Sequence, residues 1–182
     1  MSELTKTERT SEIRPPVDIE GTEDGVRLLA EMPGARVCLL DTDFRAPSQG
    51  QIFGIDAEVG MTELILDEAS FKDVVNPTVV RNLDLIPAGD EPDSPAELLS
   101  SERFANLLQE LKRRYSWVVI DTPPVNPYTD GCMLASITNG ALVVIRMEET
   151  QRDLVQRTFQ NIRTAGGDVL GTILTGLAPD RD

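Results

Sequence analysis

No histidine occurs in the 182 residues, and there are only two cysteines, Cys38 and Cys132. Without imidazoles and with so few thiolates, a zinc centre and a histidine-dependent catalytic triad are effectively excluded. The cysteines are far apart and each sits in an apolar stretch, so buried free thiols in a reducing, cytoplasmic setting are expected rather than a disulfide. Basic residues are also scarce, 17 against 31 acidic ones, for a net charge of −14. Nucleic acid and anionic membrane surfaces are poor partners for such a chain. No apolar run approaches the ~20 residues that span a bilayer, and the polar N-terminus does not read as a signal peptide.

What is present is the pattern of an α/β domain. The stretch Val37-Cys38-Leu39-Leu40-Asp41-Thr42-Asp43-Phe44-Arg45 places four apolar residues before Asp-Thr-Asp. A short apolar run bounded by polar residues suits a strand buried on both faces of a parallel sheet, and the carboxyl ends of such strands line the ligand crevice. Asp41 and Asp43 would then share one side of that crevice if the chain stays extended; the plainer reading is that Asp41 ends the strand and caps the next turn. A second run, Trp117-Val118-Val119-Ile120-Asp121, delivers another carboxylate in the same way. Carboxylates gathered like this suit a hard cation such as magnesium, held together with substrate phosphates.

In chain order, residues 1–20 carry Pro15-Pro16 and no apolar periodicity and read as a flexible tail, residues 21–178 as the domain, and 179–182 as a short C-terminal tail. Helices are expected over Thr22–Met32, Met61–Leu66, Ser70–Val75, Pro95 to about Arg113, about Asp130–Thr138 and Glu149–Ala165, with a short turn of helix at Gln51–Gly54. Strands are expected at Val37–Leu40, Leu83–Pro87, Val118–Ile120, Ala141–Ile145 and Val169–Leu174. The basic end of the long helix, Lys112-Arg113-Arg114, is accounted for by the helix dipole. Alternating helices and strands predict a mostly parallel sheet with helices on both faces.

Taken together, Asp41-Thr-Asp-Phe-Arg45, Met61-Thr-Glu-Leu64, Asn82-Leu-Asp-Leu-Ile-Pro-Ala-Gly89, Ser94-Pro-Ala-Glu-Leu-Leu-Ser-Ser101 and Ile120-Asp-Thr-Pro-Pro124 resemble the bacterial tyrosine kinases of capsule and exopolysaccharide synthesis. These are P-loop proteins of the deviant-Walker class, and the resemblance covers about residues 25–178. It implies a P-loop NTPase-like fold in which Asp41 and Asp43 assist magnesium and activate the attacking tyrosine, while Asp121 holds the metal. Asp43 and Asp121 are thus the implied metal residues, and Asp41, Asp43 and Asp121 the implied catalytic set. It also implies a membrane polysaccharide co-polymerase or related export protein as partner, a homo-oligomer or a kinase as further associate, and a place on the cytoplasmic side of the inner membrane.

The departures from that family are equally specific. The phosphate-binding loop should end in Gly-Lys-Ser/Thr a helix's length before Asp41, yet the region reads Val17-Asp-Ile-Glu-Gly-Thr-Glu-Asp-Gly-Val-Arg27, and no lysine falls between Lys6 and Lys72. Glu20, Glu23 and Asp24 stand where phosphates would lie, and carboxylates repel a triphosphate. The C-terminal tyrosine cluster is missing, the only tyrosines being Tyr115 and Tyr128. The expectation is therefore a degenerate, regulatory or scaffolding member with no cofactor; an active autokinase using ATP and magnesium is the other reading. The first strand of the fold, for which Pro16–Glu20 is the candidate, is expected to be lost, its slot closed by the remaining strands or by a partner chain. Carboxylates crowded without a cation repel one another, so Asp41→Asn is expected to stabilise the fold.

Overall fold

In β1 (Val37–Asp41) every residue is buried, because two layers of helices claim its alternating side chains. Val37 and Leu39 pack with Leu83 and Leu85 of β3 (Leu83–Ile86) against Val26 and Ala30 of α1 (Thr22–Glu31). Cys38 and Leu40 face the other way, joining Ile86 and the inward side of α6 (Glu102–Arg114), which supplies Phe104, Leu107, Leu108 and Leu111. Each such side chain taken from water contributes about 1.5–3 kcal/mol. A strand flanked on both faces has no place for polar residues until it ends, and it ends at Asp41.

The computed structural model describes residues 22–126 and 128–176. The remaining elements are α2 (Gln49–Phe53), α3 (Met61–Leu66), α4 (Phe71–Val74), β2 (Asn76–Pro77), α5 (Pro95–Leu99), β4 (Trp117–Asp121), α7 (Asp130–Ile137), β5 (Ala141–Arg146), α8 (Arg152–Thr164) and β6 (Val169–Thr175). β1 pairs in parallel with β3 on one side and β4 on the other. β2 adds a short antiparallel edge to β3. The result is the expected α/β architecture, a mostly parallel sheet with helices on both faces.

Four details differ from the sequence reading. The single helix expected from Pro95 to about Arg113 is two helices. Ser101 breaks it: its hydroxyl accepts the Phe104 N–H at 3.2 Å and donates to the Leu98 carbonyl at 2.7 Å, so it ends one helix and caps the next. α8 starts at Arg152 rather than Glu149, after a turn in which Glu148 takes a left-handed φ of 67°. The two-residue edge strand β2 was not expected. Its proline sits at a sheet edge, where a missing N–H costs little.

The fourth difference is the division of the sheet. β2-β3-β1-β4 form one sheet and β5-β6 a second, and β4 is not hydrogen-bonded to β5. The strands have therefore not drawn together as one of the two expected closures required. α7 links the halves from below: Leu134 belongs to the core of the first sheet, while Cys132 and Ala135 pack with Ile162, Val143 and Val169 of the second. The segment Pro16–Glu20 lies outside the described residues, as do both expected tails.

Candidate functional site at the carboxyl ends of the strands

Asp41 and Asp121 are direct partners in the β1–β4 register, so parallel pairing alone brings the two strand-terminal carboxylates together. The pairing is locked just beyond the strand end. Thr42 donates its N–H (2.9 Å) and its hydroxyl (2.6 Å) to the Asp121 carbonyl. The chain then turns instead of staying extended, since the Asp43 N–H donates to Asp41 Oδ1 at 3.2 Å, an aspartate bonding the backbone two residues on. Asp43 is half-buried, and its Oδ1 accepts the Ala46 N–H at 3.2 Å.

Asp41 is fully buried and occupied by its own chain. Oδ2 accepts the backbone N–H groups of Ser48 (3.1 Å) and Gln49 (3.0 Å), which start α2, and Oδ1 takes that of Asp43. Burial pushes its carboxyl above the ordinary aspartate value, against the pull of the three N–H donors toward the ionised form. An asparagine in this place would have one acceptor oxygen for three donors, which argues against the expected stabilisation by Asp41→Asn.

Gln49 completes the bridge. Its Nε2 donates to Asp121 Oδ2 at 2.7 Å, so one residue contacts both strand-terminal aspartates, through its backbone N–H on one side and its side-chain amide on the other. Its Oε1 is buried with no hydrogen-bond partner among the described residues. Arg45 reaches across to α7, pairing with the buried Asp130 at 2.6 Å and lying 4.3 Å from the centre of the Tyr128 ring. The hydrogen bond to Asp130 holds the guanidinium protonated above its usual range. Gln49, Asp130 and Tyr128 were not singled out from sequence. Gln49 sits in a Pro-Ser-Gln-Gly stretch that reads as a loop, and the only local hint for Asp130 is an acid opening a helix.

For magnesium, which is usually held by one or two carboxylates together with water and substrate phosphates, Asp41 is a poor ligand. The orphaned Gln49 oxygen offers one neutral acceptor, while both oxygens of Asp41 are already bonded to N–H groups. The first turn of α1 contains Glu23 and Asp24 and no lysine.

The AAA domain family matches residues 26–166. A putative tyrosine-protein kinase, CapB of Staphylococcus aureus, is 34% identical over 149 residues, covering 82% of this chain and 65% of its own length. Among solved structures, the chimerical protein CapA2B2 superposes with a TM-score of 0.76 at 33% identity, over 79% of this chain and 64% of that one. The VpsO kinase domain superposes with a TM-score of 0.78 at 34% identity, over 84% and 75% respectively. The chain thus spans just under two thirds of CapB and of the CapA2B2 chimera.

Proposed function

We propose, on the premise that this chain belongs to the AAA domain family and has tyrosine-protein kinases among its relatives, that it is a regulatory or scaffolding subunit of capsule or exopolysaccharide synthesis that works without nucleotide. One observation carries this reading. Of the three carboxylates that the family resemblance assigns to catalysis, Asp41, Asp43 and Asp121, Asp41 spends both oxygens on the chain's own N–H groups. Phosphoryl transfer rests on positioning and charge neutralisation of the phosphates, and the sequence before Asp41 has no lysine after Lys6.

In this reading the P-loop-type fold is retained as a shape. It presents the surface of a kinase domain to a membrane polysaccharide co-polymerase or to an active kinase, on the cytoplasmic side. Among the described residues no helix is long and apolar enough to cross a membrane, so membrane association would run through such a partner. The competing reading, an active autokinase, draws on the preserved register that sets Asp41 against Asp121.

Calorimetric titration with Mg-ATP separates the two. No saturating heat is expected at micromolar nucleotide. A dissociation constant near 1 µM, about −8 kcal/mol, would overturn the nucleotide-free reading.

A further inference from the structure

A cleft of about 470 Å³ opens at the opposite end of the sheet, beside the amino ends of β1, β3 and β4. Arg36, Lys72, Arg113 and Arg114 line it, with the rings of Phe71 and Tyr115 and a single acid, Asp84. In a chain with 17 basic and 31 acidic residues, four cations converging on one hollow run against the average charge. The end of α6 accounts for Arg113 and Arg114 through the helix dipole. It does not account for Arg36, from the turn between α1 and β1, or Lys72, from α4.

The cluster is exposed and largely unneutralised. Arg36 is fixed through its backbone: its N–H donates to Ser116 Oγ at 3.3 Å, and its carbonyl accepts from Ser116 and Trp117. Its guanidinium lies 5.2 Å from the centre of the Tyr115 ring, and that of Arg114 lies 4.3 Å from the centre of Phe71. Among the described residues, Arg36, Lys72 and Arg113 have no carboxylate within ion-pair distance; Arg114 pairs with Glu110 on its own helix. Asp84 Oδ2 accepts the Tyr115 hydroxyl at 2.8 Å. Asp73, beside Lys72, accepts from Ser70 at the start of α4. Exposed cations gathered around one hollow attract an anion.

We propose that this cleft binds a phosphorylated tyrosine side chain carried on an extended segment of a partner protein. A phosphoryl group brings a charge near −2 and three acceptor oxygens, which guanidinium forks read in bidentate fashion. Guanidinium planes packed on rings also offer a flat bed for a phenyl ring. That the segment comes from a phosphorylated kinase rests on the function proposed above; the chemistry of the cleft does not.

The test is fluorescence anisotropy of a short labelled phosphotyrosyl peptide with the whole chain. Its phosphoseryl and unphosphorylated counterparts, inorganic phosphate and vesicles containing phosphatidylserine serve as comparators. Binding at least tenfold tighter to the phosphotyrosyl peptide is expected, weakening with added salt. Arg113→Ala should lose about tenfold and Arg113→Lys less, with melting temperatures unchanged because Arg113 is exposed. Equal affinity for the phosphoseryl peptide, phosphate or vesicles overturns the proposal, as does absence of binding or an Arg113→Ala variant that binds normally. Mg-ATP binding would sink the nucleotide-free reading while leaving this result untouched, so the two failures are distinguishable.

Discussion

Replacing Asp41 by asparagine tests whether this residue is a structural keystone. The side chain is fully buried and accepts three backbone N–H groups, from Asp43, Ser48 and Gln49. Asparagine keeps one oxygen, which can serve the Ser48 and Gln49 pair, and turns its amide NH2 toward the Asp43 N–H, donor against donor. Leaving one buried N–H unpaired costs about 1–3 kcal/mol, and exchanging charge-assisted for neutral bonds adds to the loss. Relief of carboxylate desolvation, the strongest influence on this group, offsets much of this, so a net loss of about 1 kcal/mol is expected at neutral pH. For a chain of this size that lowers the melting temperature by roughly 2–4 °C per kcal/mol. The assay is urea or thermal unfolding followed by Trp117 fluorescence. The pH dependence has a definite sign. A folded-state carboxyl above its unfolded value binds its proton more tightly in the native state, so the wild type gains stability as pH falls through the raised value toward the ordinary aspartate range. The variant lacks this gain, and the gap between the two should widen on acidification. A variant that melts at or above the wild-type temperature at neutral pH would refute the argument and restore simple carboxylate repulsion as the dominant effect.

Other outcomes follow from close contacts elsewhere. Gly60→Ala would place a Cβ 2.3 Å from the Pro87 carbonyl oxygen and 2.4 Å from the Gly89 nitrogen, both backbone atoms that cannot swing aside; a loss of about 2–3 kcal/mol is expected in chemical denaturation. Arg45→Ala strands Asp130, which is 3% exposed, without its cation. A cost of about 3 kcal/mol is expected, partly recovered in the Arg45→Ala, Asp130→Asn double variant; strictly additive losses in that cycle would show that the pair is not coupled.

The strands and their acidic tips were legible because each is a local pattern. An apolar run that stops at an aspartate describes both burial and its end, and Asp41 and Asp121 fall opposite each other once the strands pair. The helix faces were legible for the same reason, as with Phe104, Leu107, Leu108 and Leu111. The break at Ser100-Ser101 was not, since apolar spacing continues across it and a serine acts as a cap only when its hydroxyl is turned inward. Nor was the role of Gln49, which depends on a loop folding back so that one residue meets both Asp41 and Asp121, the latter 72 positions away. The acidity of the cluster suggested repulsion; only the positions of the N–H donors show that Asp41 is consumed by its own turn. The basic cleft was half visible, as Lys112-Arg113-Arg114, but its partners Arg36 and Lys72 come from distant parts of the chain.

The divided sheet bears on how the protein comes apart. A continuous ladder makes neighbouring strands fail together, whereas among the described residues β5, α8 and β6 share no ladder with β4. Their described ties include the packing of α7 and of Val125 and the Asn126 amide, which donates to the Leu154 carbonyl and the Thr158 hydroxyl. Side-chain contact across a seam transmits less cooperativity than shared backbone bonds, so this unit is set to open below the global unfolding free energy. Trp117, the single tryptophan, lies in β4 and reports the four-stranded half. Helical ellipticity counts α8 as well. Unfolding curves from the two signals should therefore separate, and a single midpoint would then describe only the half of the molecule that the chosen signal sees.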